Sequence, residues 1–180
     1  PGKVEDMDTP TPPTLGLVLA GGLARRMGGG DKARIKIGGS TILDRVLATL
    51  SGQCVDIIIN ANGDPARFED TGCTIVPDNV PGHPGPLAGI LAGLDWLAEQ
   101  NNGVEWLLSV PGDCPFLPDD LVERLHVARV KMGAGVPLAC ARSGEWRHPV
   151  VGLWPLALRG DLRKALIDED LRKIEVWTSR

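Results

Sequence analysis

The sequence predicts an α/β protein in which a mostly parallel sheet is covered by helices on both faces. Short apolar runs, several of them β-branched, alternate with longer segments whose apolar residues recur three and four apart. The runs are apolar almost throughout, as strands buried on both faces must be. The runs end in glycine, amide or carboxylate: Gly21-Gly22, Asn60, Asp78 and Asp113. Parallel strands joined by right-handed crossovers bind ligands beyond their carboxyl ends. These four stations are therefore expected on one edge of the sheet, although they are far apart in the chain.

Taken in order, residues 1–14 are rich in proline, threonine and acidic residues and show no periodicity, which predicts a disordered leader. Residues 15–20 read as a buried strand, and residues 35–37 as a brief extended segment ending at Gly38-Gly39. Ser40 or Thr41 then caps a helix whose apolar positions are Leu43, Val46, Leu47 and Leu50. Residues 55–60 (VDIIIN) and 74–76 are the next strands. A proline- and glycine-rich loop, residues 81–86, leads into a helix with Leu87, Ile90, Leu91, Leu94 and Leu97 on one face. Residues 106–110 (WLLSV) form a further strand that runs into Pro111-Gly112-Asp113. Pro118, Asp119 and Asp120 read as the first turn of a helix with Leu121, Leu125 and Ala128 facing inward. Strands over 136–141 and 149–154, a helix over 161–171 and a strand over 174–177 complete the expectation. The 180 residues suit one domain, spanning 15–180 behind the leader.

Composition narrows the function. A net charge of −4 offers no general attraction to nucleic acid or to an anionic membrane, and no apolar run is long enough to span a bilayer. Cys54, Cys73, Cys114 and Cys140 are scattered without a CxxC pair, and read as reduced thiols of a cytoplasmic protein. No spacing suggests a Ser–His–Asp or Cys–His nucleophile, and three separate histidines do not make a metal site.

Chemistry concentrates in residues 15–32, LGLVLAGGLARRMGGGDK. A strand opening into glycines lets backbone N–H groups converge on anionic oxygens, and Arg25, Arg26 and Lys32 add positive charge. The alternative is a tight turn with solvated arginines. A Walker A loop is excluded, because Asp31 precedes Lys32 and Ala33 follows it; the dinucleotide fingerprint does not fit the register. Asp113 is either an oxygen ligand for a hard cation such as Mg²⁺ or the cap of a turn before Pro115. Asn60 and Asp78 either read a nucleotide's hydroxyls and base edge or form Asx turns. Arg147-His148-Pro149 offers charge near the last strands, though His148 alone reads as a packed or surface histidine. A glycine cradle with cations opposite a carboxylate suits phosphoryl or nucleotidyl transfer.

These residues resemble a known family. LAGGLARRMGGGDK, PGPLAGI (84–90), PGDCPFLP (111–118) and RHPVVGLW (147–154) occur in the order found in the molybdenum cofactor guanylyltransferases, and the likeness runs from residue 15 to 171. The resemblance implies a Rossmann-like nucleotidyltransferase fold and Mg²⁺-dependent transfer of GMP from GTP to molybdopterin, yielding the guanine dinucleotide cofactor and pyrophosphate. By matching position, Leu19, Ala20, Gly21 and Gly22 would line the guanosine and phosphate site, and Lys32 and Arg26 would face the phosphates, with Asp31 orienting Lys32. Asn60 and Asp78 would hold the nucleoside, and Asp113 would bind Mg²⁺. The segments 84–89 and 147–149 would meet the pterin. Recipient molybdoenzyme apoproteins or their chaperones would be partners. The family's Asn- and Thr-Pro-containing segment beyond the last strand is not found before Arg180. A cytidylyltransferase acting on the same pterin is the nearest alternative, told apart by its usual Ala-Gly where this chain has Gly21-Gly22. A non-catalytic nucleotide-binding module that delivers the cofactor is the alternative from another class.

Overall fold

The computed structural model describes residues 10–20, 36–37, 40–80, 85–114, 116–132, 139–143 and 146–168. Its strands are β1 (Thr14–Leu19), β2 (Lys36–Ile37), β3 (Ser40–Thr41), β4 (Asp56–Asn60), β5 (Thr74–Val76), β6 (Trp106–Pro111), β7 (Ala139–Ser143) and β8 (Trp146–Pro155). Its helices are α1 (Ile42–Ser51), α2 (Pro86–Gln100), α3 (Leu121–Met132) and α4 (Arg159–Ile167). Six strands form one sheet in the order β5-β4-β1-β6-β8-β7, while β2 and β3 make a separate small hairpin. The pairs β5/β4, β4/β1 and β1/β6 are parallel. β8 lies antiparallel to both β6 and β7.

Alternation along the strands divides the core into two layers. Leu15, Leu17, Leu19, Ile58 and Leu107 point to the face covered by α2 and α4. Val18, Ile59, Leu108 and Val110 point to the face covered by α1 and α3, where Phe68 also packs. Helices on both faces of a mostly parallel sheet are the predicted architecture.

Several boundaries differ from expectation for tertiary reasons. Thr14 is not part of a leader: it opens β1 and is buried. α3 begins at Leu121, not at Pro118, and its second amide donates to the side chain of Gln53 (2.9 Å), which lies beyond α1. That cap comes from 69 residues away, so no local signal announces it. On α3 it is His126, not Ala128, that turns into the interior beside Leu121, Val122 and Leu125. The last two strands form a hairpin and not a βαβ unit. A short 3₁₀ helix over Pro65–Thr71, capped by Asp64, was unannounced and serves to bury Phe68. Thr41 is the α1 cap, in a reciprocal capping box with Asp44 (3.0 and 3.2 Å). α4 starts at Arg159, two residues before the expected start. The expected strand over 174–177 lies outside the described residues.

α2 departs most from an amphipathic reading. Ten of its residues are buried, including Ala88, Gly89, Ala92, Gly93 and Asp95 as well as the leucine stripe. Its glycines allow this. A Cβ on Gly93 would sit 2.9 Å from Leu17 Cδ2, and one on Gly89 would sit 2.8 Å from Leu19 Cδ2. Glycine at two positions four apart lets the helix backbone settle against β1. Gly89 meets the end of β1 and Gly93 its middle, so α2 starts at the carboxyl edge and runs down the sheet.

At the opposite end, Thr14 Oγ1 donates to the Pro12 carbonyl (2.9 Å) and so accepts from His126 Nε2 (2.8 Å). His126 packs edge-to-face on Trp106 (5.3 Å), and the Arg129 guanidinium lies over the same indole (4.2 Å). The imidazole is 4 % exposed, and its Nδ1 has no partner among the described residues. Burial, and then the nearby Arg129 charge, push its pKa down to about 4. The folded state thus holds it neutral while the unfolded chain takes up a proton near pH 6.5. Stability is fully present above pH 6.5 and is expected to fall as pH drops toward 4, by at most about 1.4 kcal/mol per pH unit from this group. Urea melts at pH 7 and pH 4.5 should show a smaller pH loss for His126→Gln than for the parent chain. An identical loss would mean that His126 carries no such linkage.

Candidate active site

The carboxyl ends of four parallel strands are level. Leu19 is in register with Asn60 on one side and Pro111 on the other, and Asn60 with Val76. Beyond this row the ladder continues into the loops. Ala20 N donates to Asn60 O (2.9 Å), Ala61 N to Val76 O (3.3 Å) and Gly112 N to Leu19 O (3.0 Å). Leu19, Ala20, Asn60, Asp78 and Asp113 therefore share one edge, as the strand-end pattern predicts. Gly21, Gly22, Arg25, Arg26, Asp31 and Lys32 lie outside the described residues, as does Pro84.

Asn60 and Asp78 are joined directly, and neither forms an Asx turn among the described residues. Buried Asn60 donates one amide hydrogen to Val76 O (2.9 Å) and the other to Asp78 Oδ1 (3.0 Å). Asn62, which the sequence reading missed, donates to Asp78 Oδ2 (3.0 Å) and accepts from the Asp78 backbone N–H (2.9 Å). The signal for it is the repeat Asn60-Ala61-Asn62, which puts a second amide just past the strand end. Both Asp78 oxygens are thereby aimed by amides, with lone pairs left for hydroxyl or base N–H groups.

Gly89 closes the underside of this arrangement. The position its Cβ would take overlaps Asn60 Oδ1, so the absence of a side chain lets the Asn60 amide lie against α2. Gly85, just before α2, has φ 118°, a conformation that L side chains rarely adopt. The PGPLAGI segment thus has a conformational reason for Gly85 and a packing reason for Gly89. It also sets the positive end of the α2 dipole at the carboxyl edge, where phosphate oxygens are favoured.

Behind the edge, Asp95 of α2 is 7 % exposed and carries three partners. It accepts from Asn79 Nδ2 (2.6 Å), Arg159 Nη1 (3.2 Å) and Arg163 Nη2. Burial alone would raise its carboxyl pKa, but hydrogen bonds from Arg163, Asn79 and Arg159 outweigh it and hold the group below its ordinary value.

Asp113 sits half-buried in the turn after β6, and its carboxylate makes no hydrogen bond or ion pair to another described residue. Among the described residues no cluster of three His, Cys, Asp or Glu forms a protein cage for a metal. A single carboxylate among the described residues has the oxygen chemistry that suits a hard cation such as Mg²⁺, which fills its other positions with water or ligand oxygens. In β8, residues before Gly152 extend beyond its last pairing with β6 (Ser109), bringing the backbone of 146–149 toward the same edge. A groove of about 660 Å³ lined by Glu105, Trp106, Pro155 and Arg159 lies at the opposite edge and takes no part in this site.

Two of the described thiols are held protonated and so are poor nucleophiles. Cys54, Cys73 and Cys114 are free, and burial pushes the Cys54 thiol up to about 12 and raises that of Cys73. No helix among the described residues is long and apolar enough to cross a membrane.

Known proteins share both the sequence and the fold. A family described as the MobA-like NTP transferase domain matches residues 16–178. A molybdenum cofactor guanylyltransferase of Nitrobacter hamburgensis is 62% identical over 168 residues, 93% of this chain and 79% of that protein. One of Rhodopseudomonas palustris is 51% identical over 179 residues, 99% of this chain and 82% of the relative. Among solved structures, molybdopterin-guanine dinucleotide biosynthesis protein A from Archaeoglobus fulgidus superposes with a TM-score of 0.67 at 22% identity, over 90% of this chain and 77% of that one. A Mycobacterium tuberculosis protein solved in complex with manganese gives 0.61 at 17% identity, over 92% and 80%. At these identities the superpositions speak for the fold alone.

Proposed function

The chain belongs to the MobA-like NTP transferase family, among the molybdenum cofactor guanylyltransferases, and is a nucleotidyltransferase; from that premise we propose that it transfers GMP from GTP to molybdopterin carrying molybdenum. The observation that supports this most is the level row of strand ends, which gathers Leu19, Ala20, Asn60, Asp78 and Asp113 along one edge.

In this reading Asp78, braced by Asn60 and Asn62, accepts hydrogen bonds from the nucleoside. Leu19, Ala20 and the glycines Gly21 and Gly22 line the guanosine and phosphates, with Lys32 and Arg26 neutralising triphosphate charge. The pterin's terminal phosphate oxygen attacks the α-phosphorus of GTP; a new P–O bond forms, the α–β bridging bond breaks, and pyrophosphate leaves with the electron pair. The chain's residues contribute alignment and charge compensation and form no covalent intermediate. Asp113 would hold Mg²⁺, which when bound neutralises charge on the phosphates. The pterin would lie toward residues 84–89 and 147–149. The proposed setting is the cytoplasm, with molybdoenzyme apoproteins or their chaperones receiving the product.

Competing turnover of GTP and CTP with molybdopterin tests the assignment, and a preference for GTP is expected. Preference for CTP would move the chain to the cytidylyl branch. GTP binding without metal-dependent pyrophosphate release would make it a delivery module.

A further inference from the structure

We propose that Asp95 is a positioning residue for the nucleotide edge: through Asn79 it holds the segment that carries Asp78 against the buried helix α2. The inference deepens the nucleotide reading above and rests on it for its effect on GTP.

Three elements meet at this one carboxylate. Arg159 and Arg163 reach it from α4, four residues apart and so on one helical face. Two arginines would be enough to fasten α4 to α2. The third partner, Asn79, is on neither helix: it lies beyond β5, one residue after Asp78. Neighbouring residues are thus fixed in two directions. The Asp78 carboxylate is bound by Asn60 and Asn62 of the β4 exit, and the Asn79 amide is bound by Asp95 from below. A segment held at only one of these points could turn about it and swing the Asp78 oxygens off line.

Burial makes the anchor stiff. Asp95 is 7 % exposed, so water competes poorly for its oxygens. Asn79 by contrast is exposed, and among the described residues its side chain is held by this bond to Asp95 and by no sequence neighbour. The two arginines compensate the charge that a buried carboxylate brings, which lets an anion serve as acceptor where a neutral group would bind Asn79 less firmly.

The test uses the full chain and two independent readouts. Hydrogen exchange at residues 78–80, measured without nucleotide, reads the positioning alone. It is expected to quicken in Asp95→Asn and in Asn79→Ala, while Arg159→Ala, which touches only the other Asp95 oxygen and keeps Arg163 beside the carboxylate, leaves it near the parent rate. GTP affinity by calorimetry and the Michaelis constants then read the consequence. Both first variants should bind GTP about tenfold more weakly, the scale of one hydrogen bond to a charged group, with the pterin KM within about twofold. The double variant should be no worse than Asp95→Asn, because the two residues act through one bond. Unchanged exchange at 78–80, or equal losses for GTP and pterin, would overturn the proposal. Should Asp95→Asn fail to fold, exposed Asn79→Ala decides on the same criteria. If exchange quickens but the parent chain binds no GTP, the positioning stands and the nucleotide reading falls.

Discussion

Replacing Asp113 by alanine is expected to cut pyrophosphate release from GTP and molybdopterin by at least about a hundredfold, the scale of losing one charge-stabilising group in a transfer site. The fold should survive it. Asp113 lies in a turn fixed by backbone, with Gly112 N bonded to Leu19 O, and its side chain binds no other described residue. A thermal melt should stay within a few degrees of the parent, in keeping with about 1 kcal/mol for loss of a turn contact. Asp113→Asn should be nearly as inactive, since an amide keeps the shape but not the anionic oxygen a hard cation needs. Full turnover in either variant would remove Asp113 from the site. A large fall in melting temperature would give it the structural role of a cap instead.

Gly89→Ala is expected to damage both stability and nucleotide binding. Its Cβ would overlap Asn60 Oδ1 and press on Leu19 at 2.8 Å. Neither neighbour can yield easily. Leu19 is in the core, and Asn60 is buried with its amide spent on Val76 O and Asp78. Overpacking of this kind costs about 1–3 kcal/mol, and turning the amide away would leave buried polar groups without partners. The Asp78 carboxylate would lose its brace as well, so GTP affinity should drop by about tenfold or more. For Gly93→Ala the nearest atoms belong to the Leu17 and Leu107 side chains, so it should cost stability while sparing GTP affinity. Equal effects at the two glycines would reduce the Gly89 contact to packing alone.

The difference between those glycines shows how far the chain could be read unaided. Both stand in a helical pattern of small and apolar residues, and nothing local distinguishes them. Only the register of α2 on the sheet puts one beneath an amide and the other beneath a leucine. Asn62 and Asp95 were missed for the same reason. An exposed amide after a strand and an acid within a helix look ordinary until their partners, 16 to 68 residues away, are seen. The Gln53 cap on α3 and the buried His126 belong with them.

Local chemistry was sufficient for β1, β4, β5 and β6, for a hydroxyl cap at 40 or 41 and for the strand-end polar residues, because periodicity, turn residues and capping act over a few neighbours; the glycine loop lies outside the described residues. The one-edge grouping of Asn60, Asp78 and Asp113 also followed, since parallel strands must all present the same end. What the tertiary structure decided was which polar atoms face one another: Asn60 and Asn62 on Asp78, Asn79 and two arginines on Asp95. Hydrogen bonds between elements depend on register and helix placement to within an ångström, and only the packed core sets these.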